Sequence, residues 1–186
     1  MRITVQSTAV AGVKVIVPDR RSDARGFLSE VYKRGDLESE NLRFDVAQEN
    51  HVMSEHAGTV RGLHFQIAPS AQAKLVRVVR GRAFDVAVDL RASSPTFGHH
   101  VGIELSAENW CQLLVPVGFA HGFCTLEPRT ELVYKTTHDY SRDHERGLLW
   151  NDPQLGIEWP VDEGRAHLSD ADRTHPRLHE LARFFD

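Results

Sequence analysis

Apolar residues recur at every second position between Arg61 and Thr137, and turn residues interrupt this pattern at short intervals. A period of two places successive side chains on opposite faces of a β-strand. The clearest stretch is Ala83–Leu90, in which Phe84 and Val86 lie on one face and Asp85 on the other. Many short strands of this kind pack into a closed barrel or a double sheet. The chain is therefore predicted to be mainly β.

The connections narrow the choice of architecture. Lys74–Arg80 is joined to the strand Ala83–Leu90 through Gly81, which predicts a hairpin. A helix is expected mainly near the C-terminus, where Pro176 can take a first helical position before helically spaced Leu178 and Leu181. No linker or internal repeat divides the chain, so residues 1–186 are expected to form one domain. We predict a jelly-roll, cupin-like barrel with a short C-terminal helical segment, and an immunoglobulin-like β-sandwich is the competing architecture.

The charge and hydropathy of the chain exclude several classes of partner. The chain has 22 Lys and Arg against 26 Asp and Glu, a formal net charge of −4. Proteins that bind nucleic acid polymers usually carry a strong positive excess, so such a partner is not expected. No apolar run approaches the length that crosses a bilayer. We expect no membrane association and a cytoplasmic location.

The segment Arg61–Gln66 carries a first candidate for chemistry. By alternation His64 shares a face with Gly62 and Gln66, opposite Leu63 and Phe65, so that it can point into a polar cavity. The alternative is a structural histidine in the core. Arg61 falls on the other face unless a bulge at Gly62 turns it.

The segment Pro116–Phe123 carries a second histidine. Its Pro-x-Gly-x-x-His pattern looks like the second half of the cupin motif, in which His121 would face the barrel interior. Metal-dependent cupins add a His-x-His pair and a glutamate, because a divalent metal needs three or four converging ligands. Here Gln66 stands where the second histidine would be, so no metal is expected. A metal-dependent cupin enzyme and a non-catalytic binding module remain as alternatives.

Tyr134 lies in a third segment, on the strand face opposite Lys135. A tyrosine in a barrel is usually a packing residue. With His64, Lys74 and His121 on strands of the same small barrel, however, an acid and a base on two sides of one cavity become geometrically feasible.

Several motifs, in this order along the chain, resemble the dTDP-4-dehydrorhamnose 3,5-epimerase family. The resemblance extends from about Arg25 to Asp172. It is carried by Arg25–Phe27, Gln48–Asn50, Arg61–Gln66, Ala73–Arg77, Ser94–Gly98, Leu105–Asn109, Pro116–Phe123, Leu149–Asp152 and Gly156–Pro160.

This resemblance implies an activity and a set of site residues. The family converts dTDP-4-dehydro-6-deoxy-D-glucose to dTDP-4-dehydro-L-rhamnose by moving protons at C3 and C5, without a metal or a dissociable organic cofactor. His64 matches the base, Tyr134 the acid, Asp172 the partner of the base, and Lys74 the cation that stabilises the enolate. Substrate contacts are implied at Arg25, Glu30, Gln48, Asn50, Arg61, Lys74, His121 and Glu145.

Two implications are less specific. The family resemblance points to a homodimer, and a relative that epimerises only C3 or only C5 is a close alternative function.

Ala171 departs from the lysine that many members carry before the aspartate. One substrate contact is therefore lost or is supplied by Arg173, which leaves the choice of nucleotide open.

Overall fold

Antiparallel strands make up most of the computed structural model, which describes residues 2–186. In these residues the strands are β1 (Ile3–Ser7), β2 (Lys14–Pro18), β3 (Arg21–Asp23), β4 (Gly26–Leu28), β5 (Gln48–Ser54), β6 (Val60–Gln66), β7 (Lys74–Arg80), β8 (Arg82–Asp89), β9 (His100–Ser106), β10 (Gln112–Val115), β11 (Phe119–Thr125), β12 (Thr130–Thr136) and β13 (Glu145–Gly147). The one α-helix in this range is α1 (Arg34–Ser39). The prediction of a mainly β chain is confirmed.

The strands form two principal sheets and a small hairpin. The six-stranded sheet has the order β1-β2-β10-β7-β12-β5, the five-stranded sheet has the order β13-β6-β11-β8-β9, and β3 pairs only with β4. The two large sheets face each other without closing into a continuous barrel. This is the double-sheet form of the predicted jelly roll.

The predicted hairpin at Gly81 is wrong. Strand β7 lies between β10 and β12 in the six-stranded sheet, whereas β8 lies between β11 and β9 in the other sheet. Gly81, with a φ of 74°, therefore turns the chain from one sheet to the other. This crossing lets Val76 and Val78 of β7 pack in one cluster with Ala83 and Ala87 of β8. Local alternation cannot distinguish such a corner from a hairpin.

The space between the sheets changes from apolar to polar along its length. On β7 the inward-facing residues run from Val78 and Val76, which are buried, to Lys74. On β12 the neighbouring Leu132 is buried in the same core and is followed on its face by Tyr134. The apolar half holds the sheets together, and the polar half is left for a site.

The C-terminal helical segment is a single 3-10 turn, Leu178–Glu180. Leu178 is buried against the outer face of the five-stranded sheet, in a cluster with Leu63 and Phe65. The chain then stays extended, so that Phe185 forms a bridge with Arg91. Within residues 2–186 no helix has the length and apolar character needed to cross a membrane.

Candidate active site

His64 and Asp172 form a closely bonded pair between β6 and the C-terminal segment. His64 Nε2 lies 2.6 Å from Asp172 Oδ1, and the Ser169 hydroxyl donates to Asp172 Oδ2 at 2.8 Å. Burial alone would raise the pKa of the Asp172 carboxyl, but its contacts with His175, His64 and Ser169 outweigh burial and hold that pKa well below its usual range. Asp172 is therefore a carboxylate that accepts the Nε2 proton. In the neutral imidazole the proton is therefore on Nε2, and the lone pair on Nδ1 can act as a base.

A bulge in β6 aims both Arg61 and His64. Opposite β11, the register passes from Arg61 paired with Phe123 to His64 paired with His121, so that two residues of β6 face one of β11. Gly62 lets β6 approach β11 closely at the bulge, because a Cβ on Gly62 would lie 2.7 Å from the Gly122 Cα. Of the possibilities left open by the sequence, the structure has the bulge, which places Arg61 in the same cavity lining as His64.

Lys74 is a cation held in a poorly solvated position. Its Nζ donates a hydrogen bond to the His64 carbonyl oxygen at 3.2 Å. Burial lowers the pKa of Lys74 to about 8, although the charges of Asp85 and Glu145 act in the opposite direction. Lys74 is therefore charged at neutral pH but close to its titration range.

Tyr134 faces the same space from β12. Burial raises the pKa of the Tyr134 phenol, the Arg61 charge lowers it, and the Glu145 charge raises it further. The net effect is a rise, so Tyr134 stays protonated at neutral pH and can donate a proton to a strongly basic carbanion.

Two adjoining cavities share the side chains of His64, Lys74 and Tyr134. The first, of about 140 Å³, is also lined by Gln48, Asn50 and Glu145. The second, of about 290 Å³, is also lined by Arg61, His121 and Asp172. The structure thus brings together nine of the residues singled out in the sequence.

Asp85 is a site residue that the motifs did not identify. Its carboxylate is fully buried on β8, and Oδ1 lies 2.9 Å from His121 Nε2. Its Oδ2 has no hydrogen-bond partner within the described residues. The sequence contained a signal for this residue, since alternation places Asp85 on the same strand face as the small apolar residues Ala83 and Ala87.

Gln66, at the position of the missing cupin histidine, has a structural role. Its amide nitrogen donates to the carbonyl oxygens of Ser70 and Asp139, at 2.7 and 3.1 Å, and its Oε1 accepts from the Ser141 amide at 2.6 Å. These bonds connect β6 to the loop before β13. Gln66 therefore supplies no metal ligand to this half-motif.

Comparison with known proteins identifies the family. A protein-family model described as dTDP-4-dehydrorhamnose 3,5-epimerase matches residues 7–180. The chain belongs to the dTDP-4-dehydrorhamnose 3,5-epimerase family. A curated family member from Sinorhizobium fredii is 49% identical over 176 residues, which cover 95% of this chain and 90% of the relative.

Solved epimerase structures agree with this assignment. The enzyme from Bacillus anthracis, with TDP and PPi bound, has a TM-score of 0.90 and 48% identity, covering 94% of this chain and 99% of that one. The Legionella pneumophila enzyme, in complex with dTDP-4-keto-L-rhamnose, has a TM-score of 0.92 and 38% identity. That match covers 97% of this chain and 95% of the other. The jelly-roll fold and the resemblance drawn from the sequence motifs are confirmed.

Two residues that the epimerase motifs implied lie outside these cavities. Arg25, at the tip of the β3–β4 hairpin, is highly exposed and bonds to Asp23 at 2.6 Å. Glu30 lies 3.6 Å from Lys33. The hairpin packs through Phe27 on Trp110, on the outward side of the six-stranded sheet. Neither Arg25 nor Glu30 is part of the cavity lining in this chain.

Tyr140 and His175 are further neighbours that the epimerase motifs did not identify. The Tyr140 hydroxyl donates to Glu145 at 2.8 Å, and its amide donates to Gln48, which places an exposed ring at the cavity mouth. His175 lies beside Asp172. No strand pattern or spacing marked either residue, because both lie in irregular loops that only the tertiary fold brings to the site. Ala171 lines a neighbouring cavity with His175.

Proposed function

We propose that this protein epimerises both C3 and C5 of dTDP-4-dehydro-6-deoxy-D-glucose and releases dTDP-4-dehydro-L-rhamnose. The observation that carries the proposal is the convergence of the His64–Asp172 pair, Lys74 and Tyr134 on one cavity. Membership of the epimerase family supports the same activity. The reaction needs a base, an acid and a site for negative charge, and the cavity offers one group for each.

His64 acts as the base. Its Nδ1 removes the proton next to the C4 ketone, and the imidazolium formed is stabilised by the Asp172 carboxylate 2.6 Å from Nε2. Positioned general bases contribute about 10²- to 10⁴-fold to rate. Asp172 is ionised before the substrate binds, so it needs no rearrangement when the charge on His64 appears.

Lys74 stabilises the intermediate. Loss of the proton leaves negative charge on the C4 oxygen, and a cation in a poorly solvated cavity interacts with that charge strongly. Because Lys74 Nζ is bonded to the backbone oxygen of His64, the cation and the base are held close together.

Tyr134 returns a proton to the opposite face of the carbon. Tyr134 and His64 belong to different sheets, so a sugar ring between them meets the base on one side and the phenol on the other. His64 then loses its proton to solvent, Tyr134 regains one, and the same sequence inverts the second carbon. We assign substrate contacts to Gln48, Asn50, Arg61, His121 and Glu145, which line the same cavities.

We propose that the active protein is a homodimer in which Arg25 reaches the partner's site and binds diphosphate. The hairpin that carries Arg25 exposes Phe27 and Leu28, at 56% and 67% of their surface, and β1 lies at the free edge of its sheet. Both features suit a second copy of this chain.

The homodimer proposal is tested by mixing subunits. His64→Asn and Arg25→Ala chains are inactive or weak alone, but their mixed dimer contains one complete site and regains activity. A mixture of His64→Asn with Tyr134→Phe is the control, because both changes lie in the same cavity and no complete site forms. Absence of rescue in the first mixture contradicts the shared site.

The activity is tested by proton exchange. The wild-type protein in D2O should introduce deuterium at C3 and C5 of dTDP-4-dehydro-6-deoxy-D-glucose, giving a mass increase of two. Exchange at one carbon would indicate a C3-only or C5-only epimerase, and no exchange would refute the proposal. His64→Ala should abolish exchange with the fold intact, whereas in a mere binding module it would change affinity alone. His51→Asn, an exposed histidine on β5, is the matched control.

A further inference from the structure

Three metal-binding side chains converge beside the proposed base. One ligand atom each from His64, Asp172 and His175 lies within 4.8 Å of the other two. His175 Nε2 is 3.5 Å from Asp172 Oδ1, yet this buried nitrogen makes no hydrogen bond within residues 2–186. His175 helps to keep the Asp172 carboxylate ionised, but its unbonded Nε2 takes no part in the proposed proton transfer.

The spacing of these atoms suits a tetrahedral metal ion. Bonds of 2.0–2.1 Å place the ligand atoms of a tetrahedral Zn²⁺ site roughly 3.3 Å apart. The His175–Asp172 distance of 3.5 Å already matches this spacing, and the His64–Asp172 distance needs to open from 2.6 Å. The ligand atoms of the two imidazoles are within 4.8 Å of each other and need to approach to the same spacing. This is a local adjustment, because an ion would take the place of the shared proton.

The surroundings hold two of the three ligands in place. The Ser169 hydroxyl donates to Oδ2 of Asp172 at 2.8 Å, which leaves Oδ1 directed towards the two imidazoles. The His175 ring packs directly over Gly147 of β13, where a Cβ would lie 2.2 Å from its Cε1 atom. A cavity lined by His64, Ala171 and His175 leaves an entry path for an ion and room for a water as fourth ligand.

We propose that His64, Asp172 and His175 bind a single transition-metal ion, with Zn²⁺ the best fit, and that the bound ion switches the epimerase off. Two imidazoles and a carboxylate are suitable ligands for Zn²⁺ and its neighbours in the first transition series. An ion on Nε2 of His64 moves the single imidazole proton to Nδ1. That nitrogen can then no longer accept a proton from the sugar. The inhibition rests on the proposed function, whereas the metal site itself does not.

Binding is measured first, without reference to activity. Protein stripped of metal is titrated with Co²⁺, whose d–d absorption reports tetrahedral coordination, and with Zn²⁺ by equilibrium dialysis. The wild type should bind one ion. His175→Phe should weaken binding by more than the about 10- to 100-fold that loss of an outer-shell partner costs. His179→Asn, an exposed histidine in the next turn, is the control and should bind as the wild type does.

Inhibition is measured second, as the exchange rate of each protein relative to its own metal-free rate. Zn²⁺ should abolish wild-type exchange reversibly, with recovery on chelation, and His175→Phe should resist it. The proposal is overturned if the wild type binds no ion, or if His175→Phe binds as tightly. If His175→Phe fails to fold, Asp172→Asn decides by the same binding criterion. If binding follows the expected order but no variant exchanges protons, the metal site stands and the proposed function fails.

Discussion

Replacing Lys74 by methionine should make the protein more stable and much less active. Methionine has a similar length without the charge, so it fills the same space and removes the cost of holding an ammonium group in a poorly solvated cavity. Natural proteins keep a destabilising buried charge of this kind where the charge is needed for activity. The variant therefore tests whether Lys74 is present for catalysis or for the fold.

The magnitude follows from the pKa of Lys74. Burial lowers this pKa from its ordinary value of 10.5 to about 8. At 1.36 kcal/mol for each pKa unit, the difference corresponds to about 3 kcal/mol of destabilisation while the lysine is charged. Part of the side chain stays open to the cavity, so this figure is an upper limit. The unfolded state binds more protons between pH 8 and 10.5, so the cost is complete below pH 8, falls as pH rises and vanishes above 10.5.

Urea unfolding of the wild type, Lys74→Met and the control Lys135→Met measures the effect. Lys135 lies on the outward face of β12, next to β7. At pH 7 Lys74→Met should gain up to about 3 kcal/mol, its advantage should shrink at pH 10, and its exchange rate should fall about 10²- to 10³-fold. A variant that is less stable at pH 7, or an advantage that is independent of pH, would refute the reasoning.

Three further changes, one of them with a matched control, have specific outcomes. Asp172→Asn should lower kcat/KM for epimerisation about 10²- to 10⁴-fold, because the imidazolium of the base loses its carboxylate; a loss below threefold would contradict that role. Gly62→Ala should lower the free energy of unfolding in urea by about 1–3 kcal/mol or more, since the alanine Cβ would lie 2.7 Å from a backbone atom. Gly164→Ala, where a Cβ meets nothing within 4 Å, should be close to neutral. Tyr140→Phe loses the hydrogen bond to Glu145 and should raise KM severalfold with little change in kcat; an equal loss in kcat would indicate a role in the chemistry.

The alternation of side chains predicted the individual strands well. Strand β7 begins and ends where the pattern does, and β8 is shifted by one residue relative to Ala83–Leu90. The same alternation could not show that β7 and β8 belong to different sheets. Strand pairing depends on which apolar faces meet in three dimensions, and a glycine turn serves both a hairpin and a corner.

The site was predictable where its residues lie on strands. Lys74 and Tyr134 lie on the neighbouring strands β7 and β12 of one sheet, and His64 faces them from β6 of the other sheet, so alternation fixes the face of each side chain. His175 and Tyr140 come from irregular loops, whose path depends on packing that no local pattern encodes. Arg25 lies on a strand hairpin within a matching motif, yet it faces away from the cavity of its own chain.

The central claim is that His64 and Tyr134 act on opposite faces of one sugar ring, and a single comparison in D2O tests it. Tyr134→Phe keeps the base, so it should still exchange protons at C3 and C5 of dTDP-4-dehydro-6-deoxy-D-glucose while forming little inverted product. His64→Asn should do neither. Mass spectrometry gives the exchange, and NMR coupling constants give the configuration of the same samples. If Tyr134→Phe instead inverts both carbons at the wild-type rate, the two-sided mechanism is contradicted.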